Sequence, residues 1–525
     1  MAKIGKYVID SLTRSMYEDS RCIFREYIQN AADQIDLAKK INLEEDNHYE
    51  IHVRIFCEQR KIEIEDTATG VNRANRETLK DVATSQKKRG EHKGFRGIGR
   101  LGGLGYCKTL IFETSAKDES VKTIMRWDAL KMNQMVDNED DDSEASFVID
   151  ECTSFEEKPE KLEKHYFKVI LEDVTDDRLL NINNVRNYLQ MVSPVDYPTQ
   201  FSRFSAKIKK YAKDNGITLD TYNLYLGDEC NEEQIFKAYT TSVKYKNGDF
   251  DIKDIKLFDK KDEFGKLIYW GWYSISEMPG QIPSYNVAYG MRLRCKNIQV
   301  GDESTCCNFF VSDTDKRFSQ YFYGELFIET PKLMPDARRD YLRECEYRSV
   351  FERYVRDDFD VLKKLCTEAS QIRNAIRKKN EAEKGEEDIK EKRKRGFLNE
   401  KEKEDSEKKY NEFIENKKKQ EATLKKIQEK QEQNDSPLSF MLGGTKGSSQ
   451  TPSKPYVSET NNTPQTIIFA SDNDCKFRTD NALYNKYGEN EKKIINTIYS
   501  IIYDVFSDES MRESLINKIE KELTK

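Results

Sequence analysis

The stretch that decides the fold runs from residue 26 to residue 33 and reads EYIQNAAD. Glu26, Asn30 and Asp33 are spaced by four and three residues, so a helix places all three on one face. Polar faces of this kind are usually solvated. The small, uncharged run Asn30-Ala31-Ala32 instead favours a buried setting, which makes this helix a candidate wall of a functional site.

The residues around this stretch alternate between helical and strand patterns. Residues 9–40 carry apolar side chains at three- and four-residue spacing, which predicts helices. Residues 51–66 alternate with period two around a polar turn, which predicts a β-hairpin. Residues 109–114 and 122–127 predict a further pair of strands. Together these elements predict an α+β fold in which helices cover a largely antiparallel sheet.

Two more motifs follow in the same part of the chain. Residues 66–70 read DTATG directly after the predicted strand KIEIED, and a carboxylate there could accept a hydrogen bond from the exocyclic amine of adenine. The alternative is an ordinary turn. Residues 94–99 read GFRGIG, and closely spaced glycines allow backbone N–H groups to approach phosphates. Many tight turns contain such glycines, so each motif alone is a weak signal.

In this order and spacing, the three motifs resemble the GHKL ATPase superfamily, which includes gyrase, the ninety-kilodalton heat-shock chaperones, histidine kinases and MutL. EYIQNAAD resembles the N-box of that family, DTATG its adenine-binding box and GFRGIG its glycine-rich phosphate box. The resemblance covers residues 9–130 and implies a Bergerat-type α/β sandwich that binds ATP and Mg²⁺. Ala68 stands where the family usually has glycine, which is acceptable if φ is negative there.

The resemblance also implies roles for individual residues. Glu26 corresponds to the general base that activates water, and Asn30 to the side chain that holds Mg²⁺. Asp66 corresponds to the residue that binds the adenine amino group, with Thr114 assisting through water. The other implied nucleotide contacts are Asp33, Gly70, Thr84, Ser85, Lys87, Gly94, Gly97 and Gly99. Lys87 and Lys93 also suit a basic segment over polyphosphate, the alternative being a mobile basic loop.

A second domain is predicted at residues 160–350, where strands, helices and aromatic segments mix. Residues 324–341 (GELFIETPKLMPDARRDY) resemble the heat-shock chaperone segment that ends in a catalytic arginine, and Arg339 is the best match. The alternative is a surface arginine pair, Arg338 and Arg339, that caps a helix. Residues 189–198 (LQMVSPVDYP) resemble the start of this transducer-like domain in chaperone-like and MORC-like ATPases.

The overall composition limits the class of protein. The chain has 525 residues, 35% of them charged, and no apolar run near the roughly 20 residues of a membrane span. The N-terminus lacks the apolar stretch of a secretory signal, and the eleven cysteines form no CxxC pair. These features predict a cytoplasmic protein with no membrane contact. The net charge of −7 leaves nucleic-acid binding to a local patch at most.

Changes in composition divide the chain into five predicted segments. They are an ATP-binding domain at 1–150, a transducer-like domain at 160–350, a charged helical arm at 351–434, a flexible linker at 435–465 and a C-terminal helical module at 466–525. The arm is either a solvated hairpin or partly disordered, and its residues 371–434 hold 20 Lys and Arg against 16 Asp and Glu. An apolar stripe from Ile494 to Phe506 predicts a homodimer, unless the helix that follows covers it.

The favoured function is an ATP-hydrolysing conformational machine of the chaperone-like or MORC-like type, acting on a protein client or partner. Some stand-alone ATPases of this type serve in defence against phage, and the resemblance extends that expectation to this chain. One alternative is a MutL-like clamp whose arm contacts nucleic acid. Another is a scaffold that binds nucleotide without hydrolysis, which an intact Glu26 and Asn30 disfavour. A histidine kinase is disfavoured because no histidine lies on a suitable upstream helix.

Overall fold

The computed structural model describes residues 4–82, 93, 97, 99–140, 142–443, 476–480 and 484–525. The chain divides into two compact units, Met1–Cys366 and Thr367–Lys525. Among the described residues, no helix is both long and apolar enough to cross a membrane.

A large sheet organises the N-terminal part of the first unit. Its strands are β1 (Glu50–Phe56), β2 (Lys61–Asp66), β3 (Thr109–Ser115), β4 (Val121–Asp128), β5 (Thr153–Pro159), β6 (Tyr166–Glu172), β7 (Asn223–Gly227) and β8 (Glu232–Gln234). They lie in the order β5-β4-β3-β6-β2-β1-β7-β8, antiparallel throughout except for the parallel pair β1 and β7. The predicted hairpin at 51–66 and the predicted strand pair at 109–127 are both confirmed. Strands β5 to β8 come after residue 150 and complete the same sheet.

Helices cover this sheet. They are α1 (Tyr7–Leu12), α2 (Cys22–Lys40), α3 (Ala129–Asp137), α4 (Ala145–Cys152), α5 (Asp177–Leu180) and α6 (Ile182–Val192), with 3₁₀ turns at Arg73–Leu79 and Gly99–Gly105. The apolar side of α2, including Phe24 and Ile28, shares one hydrophobic core with sheet residues such as Val53 and Leu110. The alternation on β1 and β2 turns every second side chain into this core. The predicted α+β architecture is confirmed.

A second, smaller sheet follows in the same unit. Its strands are β11 (Asp254–Lys261), β12 (Leu267–Ile275), β13 (Gly290–Cys295), β14 (Ile298–Val300) and β15 (Tyr323–Ile328). Helix α7 (Ser202–Asp214) and a separate two-stranded hairpin, β9 (Ser242–Tyr245) and β10 (Gly248–Asp251), precede it in the chain. The five-stranded sheet has the order β11-β12-β15-β13-β14. Short 3₁₀ turns occur at Thr199–Phe201, Thr305–Phe309 and Lys316–Tyr321. Aromatic side chains, among them Phe201, Trp270 and Trp272, fill the core between α7 and the sheet.

Long helices dominate the C-terminal unit. They are α8 (Glu346–Arg395), which begins in the first unit, α9 (Glu400–Asn434), α10 (Phe440–Gly443), α11 (Glu489–Val505) and α12 (Glu509–Leu523). Helices α8 and α9 run antiparallel, with Phe413 packed against Gly385 and an ion pair of 3.5 Å between Lys379 Nζ and Glu421 Oε1. The arm is therefore helical along both of these segments. The predicted linker at 435–465 lies mostly in residues 444–475, outside the described residues.

The predicted apolar stripe of the C-terminal module lies on α11 and has two faces. Ile495, Tyr499 and Ile502 are buried in a small core that also contains Ile516 of α12. Ile494, Ile498, Ile501 and Val505 are 40–68% exposed. The following helix thus covers one face of the stripe and leaves the other exposed.

Candidate functional site

Helix α2 presents the first group of site residues. Its apolar side is buried in the core, which fixes the rotation of the helix and directs Glu26 and Asn30 toward a cavity. Glu26 is 7% exposed, and Oε1 accepts from the neighbouring Arg25 Nη2 at 3.3 Å. Asn30 is partly exposed in the cavity wall. The structure thus places the carboxylate and the amide one helical turn apart on the same surface, as the sequence pattern predicts.

The end of β2 forms another part of the wall. Asp66 is 4% exposed, and its Oδ1 accepts from the backbone N–H of Ala68 at 3.1 Å. Ala68 does not have a positive φ, so alanine in place of the usual glycine fits this turn. Gly70 has φ of 64°, and a Cβ there would lie 1.9 Å from the carbonyl oxygen of Ser115. Glycine is therefore required at position 70 for the chain to pass so close to β3.

The cavity itself has a volume of about 1000 Å³. Of the residues predicted from the sequence, those that line it are Glu26, Asn30, Asp66, Gly70, Lys93, Gly97, Gly99 and Arg339. Asp33 and Thr114 are not among the lining residues. Asp33 Oδ1 accepts from the backbone N–H of Lys93 at 2.7 Å, and the Thr114 hydroxyl bridges Val71 N–H and the carbonyl oxygen of Tyr166. Both residues therefore support the cavity wall through hydrogen bonds without lining the cavity.

Gly99, the last glycine of the GFRGIG motif, lies beside Glu26. Gly97 has φ of 70°, and a Cβ on Gly99 would come within 2.6 Å of Glu26 Oε2. Gly99 therefore allows the backbone to approach the carboxylate, and Gly97 adopts a conformation that favours glycine. Thr84, Ser85, Lys87 and Gly94, also predicted as nucleotide contacts, lie outside the described residues.

Lys93 has a different environment from the one predicted for a cation over polyphosphate. Its ammonium pairs with Asp36 at 2.6 Å and with Asp220 at 2.9 Å, and its side chain is 3% exposed. Burial alone would lower the pKa of Lys93, but the two carboxylates raise it. Its charge is thus neutralised by protein carboxylates, and Lys93 fastens the start of the glycine-rich segment to α2 and to the loop before β7.

Arg339 closes the cavity from the second sheet's side. It is 7% exposed and has φ of 57°, and its Nη1 donates to Gln29 Oε1 at 2.7 Å and to the backbone oxygen of Lys93 at 3.2 Å. Its Nε is buried and has no hydrogen-bond partner among the described residues. Burial lowers the pKa of Arg339. The buried guanidinium therefore retains an unused donor at the cavity.

The neighbouring Arg338 has an exposed side chain. Its backbone oxygen accepts from Arg25 Nη2 at 2.6 Å, so Arg25 contacts both Glu26 and the 338–339 segment. Of the two arginines considered from the sequence, Arg339 is the one whose side chain lines the cavity.

The sequence patterns did not identify several residues that lie in or beside the cavity wall. Gln29 lines the cavity from α2, and Arg25 on the same helix contacts Glu26 without lining the cavity. Nothing in the spacing of either residue distinguishes it from a core position. Lys296 lines the cavity from the two-residue turn between β13 and β14. Burial lowers its pKa, and the nearby Lys93 lowers it further. The strand-turn-strand pattern RLRC-KN-IQV could have revealed the turn, but not its place in the tertiary structure.

Comparison with known proteins agrees with this geometry. Residues 22–157 match the family model described as "Histidine kinase-, DNA gyrase B-, and HSP90-like ATPase". This segment, about a quarter of the chain, includes α2, β2 and the glycine-rich segment. No curated protein gives a significant match. Residues 22–157 are therefore similar to the ATPases of the GHKL superfamily, which confirms the resemblance inferred from the three motifs.

Proposed function

We propose that the protein binds ATP with Mg²⁺ in this cavity and hydrolyses it to ADP and phosphate. The observation that carries the proposal is that one cavity is lined by Glu26, Asn30, Asp66 and Arg339, contributed by three separate parts of the chain. Its volume of about 1000 Å³ lies at the upper end of the range of about 300–1,000 Å³ for small-molecule sites.

Glu26 is the group best placed to act as general base. A carboxylate beside the glycine-rich segment can accept a proton from a water molecule that attacks the terminal phosphate. Arg25, in contact with Glu26 Oε1, restricts the position of the carboxylate. Gly99 leaves the space next to Oε2 free of a side chain. These contacts favour a water-activating role over a merely structural one.

Two cations on the second sheet's side suit the charge of a phosphate chain. Arg339 has a buried Nε without a partner among the described residues, and Lys296 lines the same wall. Preorganised cations in a desolvated site stabilise the charge that develops in phosphoryl transfer. Both come from outside the segment that matches the family model, which is why we expect hydrolysis to depend on the position of the second sheet.

The residues present also fit a magnesium ion. Among the described residues, no cluster of three His, Cys, Asp or Glu could hold a metal by itself. Mg²⁺ commonly uses one or two protein oxygens and completes its shell with substrate phosphates and water, so Asn30 would be its protein ligand. When bound, the ion neutralises phosphate charge and orients the phosphate chain.

The same proposal includes the particular type of ATPase. The resemblance of residues 189–198 and 324–341 supports a chaperone-like or MORC-like machine. By analogy with stand-alone ATPases of that type, we extend the proposal to action in the cytoplasm on a protein client and to a role in antiviral defence. The MutL-like clamp has less support, since Lys392 of the arm's basic cluster pairs with Glu402 and Glu509. The other alternative is a scaffold that binds nucleotide without hydrolysis. Measured turnover of ATP would exclude it.

Calorimetric titration of Mg²⁺ and ATP into the full chain, combined with phosphate-release kinetics, tests the proposal. We expect binding and slow turnover. Glu26→Ala should lower turnover by about 10²- to 10⁴-fold, the usual contribution of a general base, and leave binding largely intact. Glu18→Ala is the matched control, because Glu18 is exposed and lies outside the cavity. Absence of nucleotide binding, or wild-type turnover by Glu26→Ala, would contradict the proposal.

We also propose that two copies of the chain associate through α11. The exposed residues Ile494, Ile498, Ile501 and Val505 are spaced by four, three and four residues. This is the heptad spacing with which one helix packs against another. Ile498→Asp should lower the mass measured by light scattering from twice 61.6 kDa to the single-chain value, whereas Thr497→Asp, on an exposed neighbour, should not. A monomeric wild-type chain would contradict this.

A further inference from the structure

The turn that carries Lys296 has an unusual backbone. Cys295 pairs with Ile298, so Lys296 and Asn297 form a two-residue hairpin loop. Both are in the left-handed region, with φ of 52° and 59°. Such loops favour Asn, Asp or Gly, and a lysine at the first position is strained. Strain of this kind persists only where the surrounding structure enforces the backbone conformation.

Asn297 makes the contacts that hold it. The residue is 3% exposed. Its Oδ1 accepts from Lys237 Nζ at 2.9 Å, its Nδ2 donates to the backbone oxygen of Asp220 at 2.7 Å, and its own backbone oxygen accepts from Arg294 Nη1 at 3.0 Å. The side-chain amide thus uses both of its ends, so the conformation of the residue next to Lys296 is fixed on three sides.

The partners of Asn297 are themselves immobilised in the core of the second sheet. Glu325 on β15 is 0% exposed and accepts from Lys237, Arg294, Tyr197 and Trp272. Arg294 also donates to the backbone oxygen of Met191 at 2.8 Å. We call Lys237, Arg294 and Glu325 the buried triad. Because every member is desolvated and paired, the triad provides a rigid base for the turn.

Asp220 links the turn to the nucleotide-binding domain. Its backbone oxygen receives the Asn297 amide, and its carboxylate pairs with Lys93 Nζ at 2.9 Å. The backbone oxygen of Lys93 accepts from Arg339. The turn is therefore held from the second-sheet core and connected to the segment that precedes the phosphate glycines.

We propose that Asn297, supported by the buried triad, is a positioning residue that holds Lys296 at the cavity wall, where Lys296 contacts the terminal phosphate of ATP. The proposal rests on the proposed function, since it requires ATP in this cavity. It goes beyond that function in assigning a role to Asn297, which lines the cavity beside Lys296, and to Lys237, Arg294 and Glu325, which do not line it. Without Asn297, the lysine would lose its fixed direction while the hairpin could still form.

A double-mutant cycle tests this in the full chain. The four proteins are wild type, Lys296→Ala, Asn297→Gly and the double variant. Glycine adopts the left-handed conformation freely, so Asn297→Gly removes the side-chain contacts without straining the turn. Two quantities are measured: kcat for ATP hydrolysis, and the ratio of ADP to ATP dissociation constants, which reports the contact with the terminal phosphate without turnover. Asn47→Gly, at an exposed position with φ of 51°, is the matched control.

Each single variant should lower kcat and the preference for ATP by about tenfold, a coupling typical of residues in contact. Asn297→Gly should change neither quantity by more than about twofold once Lys296 is alanine. Equal losses in both backgrounds, or no loss from Asn297→Gly or Lys296→Ala, would overturn the inference while the ATPase proposal stands. A chain that binds no ATP would overturn the proposed function and the inference with it.

Discussion

The first unit contains two sets of buried charges that differ in one respect. In the buried triad, Glu325 is fully buried and surrounded by donors from Arg294, Lys237, Tyr197 and Trp272. In the cavity, Arg339 is buried to a similar degree, yet its Nε has no partner among the described residues. Desolvation is thus compensated fully in one place and incompletely in the other.

This difference distinguishes buried charges that stabilise the fold from a buried charge that can contact a ligand. A buried polar group without a partner is costly, and a fold keeps it only where something else benefits. The triad satisfies its charges internally and specifies the packing of β12, β13 and β15. In the cavity, the Nε of Arg339 has no partner among the described residues, at a point that a polyphosphate would reach. We therefore expect substitutions in the triad to change stability first, and substitutions in the cavity to change activity first.

The largest effect should come from Glu325→Gln. Removing the carboxylate leaves Arg294 and Lys237 buried without a counter-charge, and breaking a buried pair in this way costs about 3–5 kcal/mol. Urea denaturation followed by circular dichroism measures the loss. Glu303→Gln is the control: Glu303 is 42% exposed in its pair with Arg292, and exposed pairs contribute about 0–1 kcal/mol. Similar small losses from both would show that the triad is not the structural base described above.

The lowered pKa of the Glu325 carboxylate makes the free energy of unfolding depend on pH. Burial alone would raise the pKa of Glu325, but Arg294 and Lys237 lower it to about 2. A group with a lowered folded-state pKa contributes stability above the unfolded value of about 4.3, and this contribution is lost as the pH falls toward the folded value. The difference in unfolding free energy between wild type and Glu325→Gln should therefore shrink as the pH falls from about 4 to about 2. A difference that is independent of pH in this range would contradict the assignment.

Arg339→Ala should have the next largest effect, and on activity alone. Loss of one charge-stabilising donor lowers turnover by about 10²-fold. The free energy of unfolding should stay constant or rise, because the variant removes a buried charge whose Nε has no partner in the part of the chain that the structure describes. Phosphate release and urea denaturation are measured on the same preparation. Arg338→Ala is the control, since that side chain is exposed. Equal, small effects on turnover from the two would show that another residue completes the site.

The sequence predicted best the parts of the site that come from local patterns. Glu26 and Asn30 share a face because of helical spacing, and Asp66 follows β2 directly. The position of Arg339 beside the cavity followed only from resemblance to a chaperone segment. Local propensity describes a helix or a turn well, and it cannot say which distant segment packs against it.

The remaining contacts depend on segments far apart in the chain. Lys93 looked like a cation for polyphosphate, but Asp220, 127 positions later, neutralises it together with Asp36. Lys296 reaches the cavity because β13 and β14 pack in the second sheet. The sparse apolar residues of the arm gave no firm prediction either, although Phe413 packs on Gly385 between the two helices. Such pairings require the tertiary structure.

The smallest predicted effect concerns recognition of the base. In the cavity, Asp66 is the carboxylate at the end of β2, and one of its oxygens already accepts from Ala68 N–H. A carboxylate can accept from the amino group of adenine but repels the carbonyl oxygen that inosine carries in the same place. Wild type should therefore bind ATP more tightly than inosine triphosphate by about tenfold, the lower range for a hydrogen bond to a charged group.

Asp66→Asn sharpens this test because asparagine preserves both the shape and the acceptor for Ala68 N–H. Its amide can donate as well as accept, so the preference for ATP should fall to about one, mainly through weaker ATP binding. Stability should change little, in contrast to Glu325→Gln, since Asp66 lies at a cavity wall and not in the buried triad. Competition calorimetry with both nucleotides gives the two dissociation constants. If Asp66→Asn kept the wild-type preference, the base would be recognised elsewhere in the cavity, and Asp66 would serve only to hold the turn through its hydrogen bond with Ala68 N–H.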